Sequence, residues 1–459
     1  MATFGFVTGA AGVAAVGVAA VGNATAHIDI QSAYVGPSLK TMAAPDDCIP
    51  LTIGYIHCFT PQDIQSAYNY GPAYAAVGGY ANAGAGQTIV IFDAFGDPTV
   101  ASDLATFDTA FGLPAAHLNI ICPSGCPVLD MSGLTALSRD EIGWTSEITL
   151  DTQYSHAMAP AATIDLVVSW NDSDMNFAIA EEYALTHHLG NIWSQSFGSP
   201  ECTFVPGPTQ PWFALNNKVY RQAAAEGITM FASAGDGFAQ GGCNTPASSY
   251  PADNPNNIAV TGTYLNMSFG PSSPVGKYSY ETTWNDFENP NLVANGLVFG
   301  GTGGAPSRYF ATPWWQAGHV ITPYGCTGST PATCTTKAPH FFLGKVSADV
   351  SYDAGVDGGV IAYWSSSPSY AGAGFFVFGG TSAGSPQWAA IASILDQLNG
   401  GPLGNIAPEL YFLGGTGSFH DIHHGSNSAY PGMGYKSTFG WDGASGMGTP
   451  NVGVLINWV

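Results

Sequence analysis

Residues 379–386 read Gly-Gly-Thr-Ser-Ala-Gly-Ser-Pro. A strand-like apolar run, Gly374 to Phe378, leads into this octapeptide, and a helix-like run, Gln387 to Leu398, leads out of it. That order places Ser382 at the mouth of a helix. There, free backbone N–H groups and the positive end of the helix dipole favour a developing negative charge. Gly379 and Gly380 allow a sharp turn and a close backbone approach. Pro386 falls in the first helical turn, where its missing N–H removes no hydrogen bond. A serine so placed is set to attack a carbonyl carbon. The same position suits an N-capping serine, and the octapeptide alone does not separate the two.

Upstream of this segment, strand and helix signals alternate. Gly86 to Ala94, Ile164 to Ser169, Asn191 to Ser196 and Ile228 to Ser233 read as strands. Residues 100–111 and 140–158, Asp174 to His188, and Trp212 to Glu226 read as helices. Alternation of this kind predicts an α/β fold: a predominantly parallel central sheet with helices on both faces. Ligands in such folds bind beyond the carboxyl ends of the strands. Thr60 is a candidate N-cap with Pro61 at the first helical position. The compact domain is therefore expected to span 59–459, with 1–58 as leader and linker, and residues 264–340 read as loop-rich.

Composition narrows the function classes. Of 459 residues only 9% are charged, against about 25% in ordinary soluble proteins. Nine Lys and Arg stand against 32 Asp and Glu, a formal net charge of −23. That balance excludes a basic nucleic-acid footprint and a polybasic membrane-seeking segment. It suits acidic surroundings, where many carboxylates are protonated and few cations remain to repel one another. A plain acidic secreted protein shares the same composition.

Eight cysteines fall mostly in local pairs, which suggests disulfides 48–58, 122–126, 202–243 and 326–334 in an oxidising compartment, with buried free thiols as the alternative. Residues 3–22 are apolar, and Asn23-Ala24-Thr25-Ala26 resembles the end of a secretory signal. No basic residue precedes Lys40, so a leader remnant competes with a weak anchor. The expectation is a secreted, extracellular protein in an acidic medium, monomeric, without stable membrane insertion beyond that leader.

Glu147 and Asp151 lie four apart in a helix candidate that is otherwise apolar and ends near Ala159-Pro160. Four residues put both carboxyls on one face, where like charges repel. A close carboxyl pair shares a proton and leaves one member as a usable base in acid. A solvated helix face carrying two acids is the plainer account.

Taken together, these motifs resemble the sedolisin family of serine-carboxyl peptidases. The resemblance runs from Thr60-Pro61 and Gly86-Gln-Thr-Ile89 through Glu147-xxx-Asp151 and Ser233-Ala-Gly-Asp236-Gly. It continues with Asp349-Val-Ser351, Gly380-Thr-Ser382-Ala, Asp421-Ile422 and Gly440-Trp-Asp442. It implies a subtilisin-like fold and an acid-active endopeptidase acting on proteins or peptides. Ser382 would be the nucleophile, Glu147 its general base, Asp151 the partner sharing the proton, and Asp236 the group beside the oxyanion. The chemistry is consistent, since a histidine base with an ordinary pKa of about 6.5 is protonated near pH 4 and a carboxylate is not fully so.

The resemblance also implies a substrate-pairing strand at Ser194, Ser196 and Gly198. It implies one calcium ion held by Asp421 and Asp442 side chains and by carbonyls of Ile422, Thr438 and Gly440. Asp93, ending the first strand, supports Asp151 or is simply a strand-end aspartate. None of the 11 histidines sits in the His-Gly-Thr-His context of a neutral subtilase. The family is usually made with a long prodomain, and 58 residues are too few for one, so the expectation is either a mature or truncated form or a folding helper that is separate or lost. A catalytically inactive secreted protein retaining the fold is the alternative function.

Overall fold

The structure is a computed structural model that describes residues 31–36, 47–129, 136–204, 210–270, 275–366 and 373–459. The apolar run 3–22, and with it the leader expectation, lies outside the described residues.

The eight-stranded central sheet runs, from one edge, His117–Ile121, Thr163–Ser169, Thr88–Ala94, Ile192–Gln195, Thr229–Ser233 and Asn257–Ser268. All these neighbours are parallel, as is Val350–Asp353 against Asn257–Ser268. Only Lys277–Thr283 is antiparallel. The middle strand Thr88–Ala94 shows why the sheet is covered on both sides. Ile89 and Ile91 enter one core with Ile148, Leu150 and Ile391, while Val90 and Phe92 enter the other with Phe177 and Val219. Successive side chains point to opposite faces, so a continuous apolar run serves two cores.

Helices Val100–Phe111, Ala136–Met158 and Gly384–Asn399 contribute to the first core, Asp174–Thr186 and Pro211–Ala225 to the second. The helix Ala136–Met158 is buried along its whole length from Ile142. Its threonines are satisfied within the helix: Thr145, Thr149 and Thr152 hydroxyls donate to the carbonyls of Ile142, Thr145 and Ile148. The solvated-face account of Glu147 and Asp151 is thereby removed.

Strands from both sides of the boundary expected at residue 58 share one sheet. Gln31–Gly36, Asp47–Pro50 and Tyr55–Phe59 join Gly359–Trp364 and Gly374–Gly379 in a second, five-stranded sheet. The run leading to Ser382 therefore belongs to this sheet, pairing antiparallel with residues 31–36 and 359–364. The early strands are short: Asp47–Pro50 and Tyr55–Phe59 form a local antiparallel pair, while Gln31–Gly36 has its partner far along the chain. The stretch read as loop from 264 likewise contains Lys277–Thr283, whose polar alternation KYSYETT marks an antiparallel strand beside the main sheet. Thr60 caps Pro61–Ala67 with a full capping box to Asp63. All four expected disulfides are present: 48–58, 122–126, 202–243 and 326–334.

Candidate active site

Asp93, Ser196 and Asp236 each lie at or just past the carboxyl end of a parallel strand. Glu147 and Asp151 come from the buried helix beneath them, and Ser382 from the turn Thr381–Ala383 that opens helix Gly384–Asn399. All six side chains are buried. Gly380 makes the turn possible. Its φ is 110°, and a Cβ there would collide with Asp236 Oδ2.

Ser382 is not an N-cap, since neither the turn nor the helix it opens has a side-chain cap. Its Oγ instead makes a long contact of 3.5 Å to the carbonyl oxygen of Ser196. It also lies close enough to Glu147 to favour that residue's charged form, although the Glu147 oxygens make no hydrogen bond of standard geometry. Ser196 Oγ donates to Asp151 Oδ1 at 3.0 Å and lies 3.5 Å from the Ser382 carbonyl. Ser196 thus joins the acid pair to the Ser382 turn, a role the sequence reading missed. The sole signal was its place one residue past a strand end.

The acids crowd one dry space. Burial, then the neighbouring Asp151 and Asp93, push Glu147 well above the usual glutamate range. Burial and Asp93 do the same to Asp151, opposed in part by the Ser196 hydroxyl. Burial raises Asp93 to about 8. Both Asp93 oxygens and Asp151 Oδ2 lack hydrogen-bond partners among the described residues. Three such carboxyls cannot all be ionised together, so protons are shared among them. Asp93 is therefore part of the cluster rather than a plain strand-end residue.

Asp236 meets the Ser382 turn from the other side. Its Oδ1 accepts the Thr381 N–H at 2.8 Å and the Thr381 hydroxyl at 2.7 Å. Thr381 Oγ1 in turn accepts the Gly235 N–H at 3.1 Å. Thr381, quoted only as part of a motif, is the residue that locks the Asp236 turn to the Ser382 turn.

The expected substrate strand divides in two. Ser194 has strand neighbours on both edges, Ile91 and Phe231, and its hydroxyl is buried against Ser385 at 2.9 Å. No edge is left there for a peptide. Ser196 and Gly198 lie beyond the strand's end. A cavity of about 500 Å³, lined by Pro246, Arg308, Tyr309, Phe310 and Leu343 among others, includes none of the six site residues.

The expected calcium residues do converge. Asp442 is buried and accepts the Thr438, Ala444 and Ser445 N–H groups at 2.8–2.9 Å. Asp421 Oδ2 accepts the Gly440 N–H at 3.0 Å, and Ser445 Oγ reaches both the Ile422 carbonyl and the Asp442 carboxylate. Two carboxylates and the Ile422 carbonyl supply hard oxygens of the kind calcium takes, whereas the contacts of Thr438 and Gly440 there are through their N–H groups. No group of three or more His, Cys, Asp or Glu that could hold a metal occurs among the described residues. The expected set needs only two such side chains. His423 stacks on Phe439 and His424, outside that set.

No family model matches the chain. Among curated proteins it is 28% identical over 402 residues to kumamolisin of Bacillus sp. (strain MN-32), covering 87% of this chain and 63% of the relative. It is 31% identical over 375 residues to tripeptidyl-peptidase 1 of Rattus norvegicus, covering 77% of this chain and 57% of the relative. The chain spans less than two thirds of these relatives' lengths. Among solved structures, Pseudomonas sedolisin, a serine-carboxyl proteinase complexed with pseudo-iodotyrostatin, superposes with a TM-score of 0.67 at 24% identity, over 88% of this chain and 98% of that one. Over most of its length the chain is thus similar to peptidases of the sedolisin family, and it has the subtilisin-like fold.

Proposed function

We propose that the protein is an acid-active serine-carboxyl endopeptidase. Ser382 Oγ attacks the scissile carbonyl carbon and passes its proton to Glu147. The tetrahedral oxyanion is received by the Ser382 backbone N–H and by Asp236 in its acid form. Collapse expels the amine, which takes the proton back from Glu147, and leaves an acyl-enzyme that water hydrolyses by the reverse transfer. Asp151 holds the companion proton. The observation that carries this reading is that Ser382, free of any capping bond, faces a buried carboxyl cluster with no histidine in it. Proteins or peptides are the substrates, reached past Ser196 and Gly198, and the four disulfides suit a secreted enzyme.

Digestion of a denatured protein from about pH 3 to about pH 9 tests it, with a fluorophosphonate serine probe in parallel. Cleavage in acid with labelling at Ser382 is expected, and activity confined to alkaline pH would refute the assignment. The likeness to a tripeptidyl-peptidase supports a second reading, stepwise release of tripeptides. Mass spectra of the products separate the two: internal fragments mark an endopeptidase, a tripeptide ladder the exopeptidase.

Glu147→Gln keeps the side chain's shape but cannot accept a proton. Its kcat is expected to fall by about 10²–10⁴-fold with KM little changed. Near-wild-type kcat would remove Glu147 from its role.

Calcium at Asp421, Ile422, Thr438, Gly440 and Asp442 would tie the 421 and 438–442 segments together as a structural clamp. Chelation is expected to lower the melting temperature by several degrees, because a saturating ligand contributes about 2.7 kcal/mol at 100 times its Kd. An unchanged melting temperature after chelation would argue against the site.

A further inference from the structure

Lys345 is wholly buried, a rare position for a lysine. Its ammonium donates to three main-chain carbonyls: Ala252 at 2.9 Å, Asn254 at 2.9 Å and Asn257 at 2.5 Å. Asp349 Oδ2 completes the shell at 3.1 Å. Three carbonyls from the short segment 252–257, which leads into the strand Asn257–Ser268, and a single carboxylate are how a protein holds a metal cation. The carboxylate is itself fixed from all sides. Oδ1 accepts Gln316 Nε2 at 3.0 Å and the Tyr411 hydroxyl at 2.9 Å, and Oδ2 accepts the Ala259 N–H at 2.8 Å. The carboxylate is thus positioned by its own surroundings as well as by the ammonium, and the Asn254 carbonyl also accepts the Asn257 N–H at 3.0 Å.

We propose that the oxygens of Ala252, Asn254, Asn257 and Asp349 form a cation site whose resident ion is the Lys345 ammonium, and that the site takes an alkali-metal ion when that ammonium is removed. Charge and size select the class. One carboxylate balances one positive charge. Three of the four oxygens lie 2.9–3.1 Å from Nζ, beyond the 2.3–2.6 Å typical of Ca²⁺ and the 2.0–2.1 Å of Mg²⁺, so a large monovalent ion fits best.

The device has a consequence for a protein of acid surroundings. A metal bound through a carboxylate competes with protons as pH falls, whereas a tethered ammonium cannot leave. It fixes the 252–257 loop against Asp349, and through Ala259 it helps set the parallel register Val260 to Val350. The site is separate from the calcium residues and does not depend on the peptidase reading.

The test is Lys345→Ala, melted with a chelator present in choline chloride and then in KCl or NaCl of equal ionic strength. In choline the variant is expected to melt about 5–10 °C below wild type, and K⁺ should recover at least about half of that loss saturably, with Na⁺ recovering less. Wild type and Lys345→Met, whose thioether chain fills the space, should not distinguish these salts from choline. Equal melting of the Ala variant in all three salts would overturn the proposal, as would an equal response of the Met variant. If Lys345→Ala does not refold in choline, refolding yield decides. A several-fold gain in KCl or NaCl supports the site, and equal yields refute it.

Discussion

Ser382→Ala will remove peptide hydrolysis, by on the order of 10³–10⁶-fold in kcat, and leave the fold intact. The loss is large because the hydroxyl supplies the only nucleophile in the proposed scheme. What remains is the oxyanion donors and substrate binding. The fold is expected to survive because the hydroxyl contributes little to it. Ser382 caps no helix, and its contact with the Ser196 carbonyl is long, at 3.5 Å. Removing it costs at most about 1 kcal/mol. The check is a pair of measurements, initial rates on a peptide substrate at acid pH and a thermal melt. A variant retaining a tenth of the wild-type rate would dismiss Ser382 as nucleophile. A lost rate with a collapsed melt would instead expose a structural role.

The folded protein will also lose stability as pH rises, rather than as it falls. Burial is the leading cause of raised carboxyl pKa values across the molecule: Asp93 and Glu181 to about 8, Asp174 and Glu281 to about 7, Asp396 to about 6. Glu147, Asp151, Asp253 and Asp353 are raised too, again chiefly by burial. An acid whose folded pKa exceeds its unfolded one binds more protons when native. Its stabilisation is complete below the unfolded value near 4 and is lost as pH climbs through the folded value. The window is therefore about pH 4 to 8.

Asp357 acts oppositely. Burial alone would raise it, but hydrogen bonds from His57 and Asn291 hold it below the ordinary value, so its contribution is lost only in strong acid. At about 1.4 kcal/mol per unit, one fully buried group such as Glu181 is worth a few kcal/mol, against about 5–15 kcal/mol for a whole domain. Nine cations in 459 residues offer little to offset it. Melting temperatures measured in chelator are expected to fall by about 10 °C or more between pH 4 and pH 8. A flat or rising curve over that window would contradict the burial argument. Glu147→Gln, which mimics the protonated form, should narrow the fall.

Much of this was legible in residues close together along the chain. The strand Thr88–Ala94, the helices Val100–Phe111 and Pro211–Ala225, the Thr60 cap and the disulfide between Cys122 and Cys126 follow from local pattern and spacing. The Glu147–Asp151 pair and the Gly-Thr-Ser turn were readable for the same reason, since spacing of four and a glycine pair carry their geometry with them. The strand Gln31–Gly36 was not, because it pairs with residues 374–379 far along the chain. Lys345 was silent as well, as its four oxygens come from two separate segments.

By itself, then, the sequence determined the alternating elements, the scarcity of charge and the chemistry available at each turn, because these depend on neighbours within a few residues. Only the tertiary structure decided that the Ser382 hydroxyl caps nothing, that Asp93 joins the acid pair, that Ser194 is flanked by strands on both sides while Ser196 lies past the strand's end, and that Lys345 is buried among four oxygens. Those outcomes depend on which distant groups share a space without water, and burial is a property of the assembled fold, not of any stretch of it.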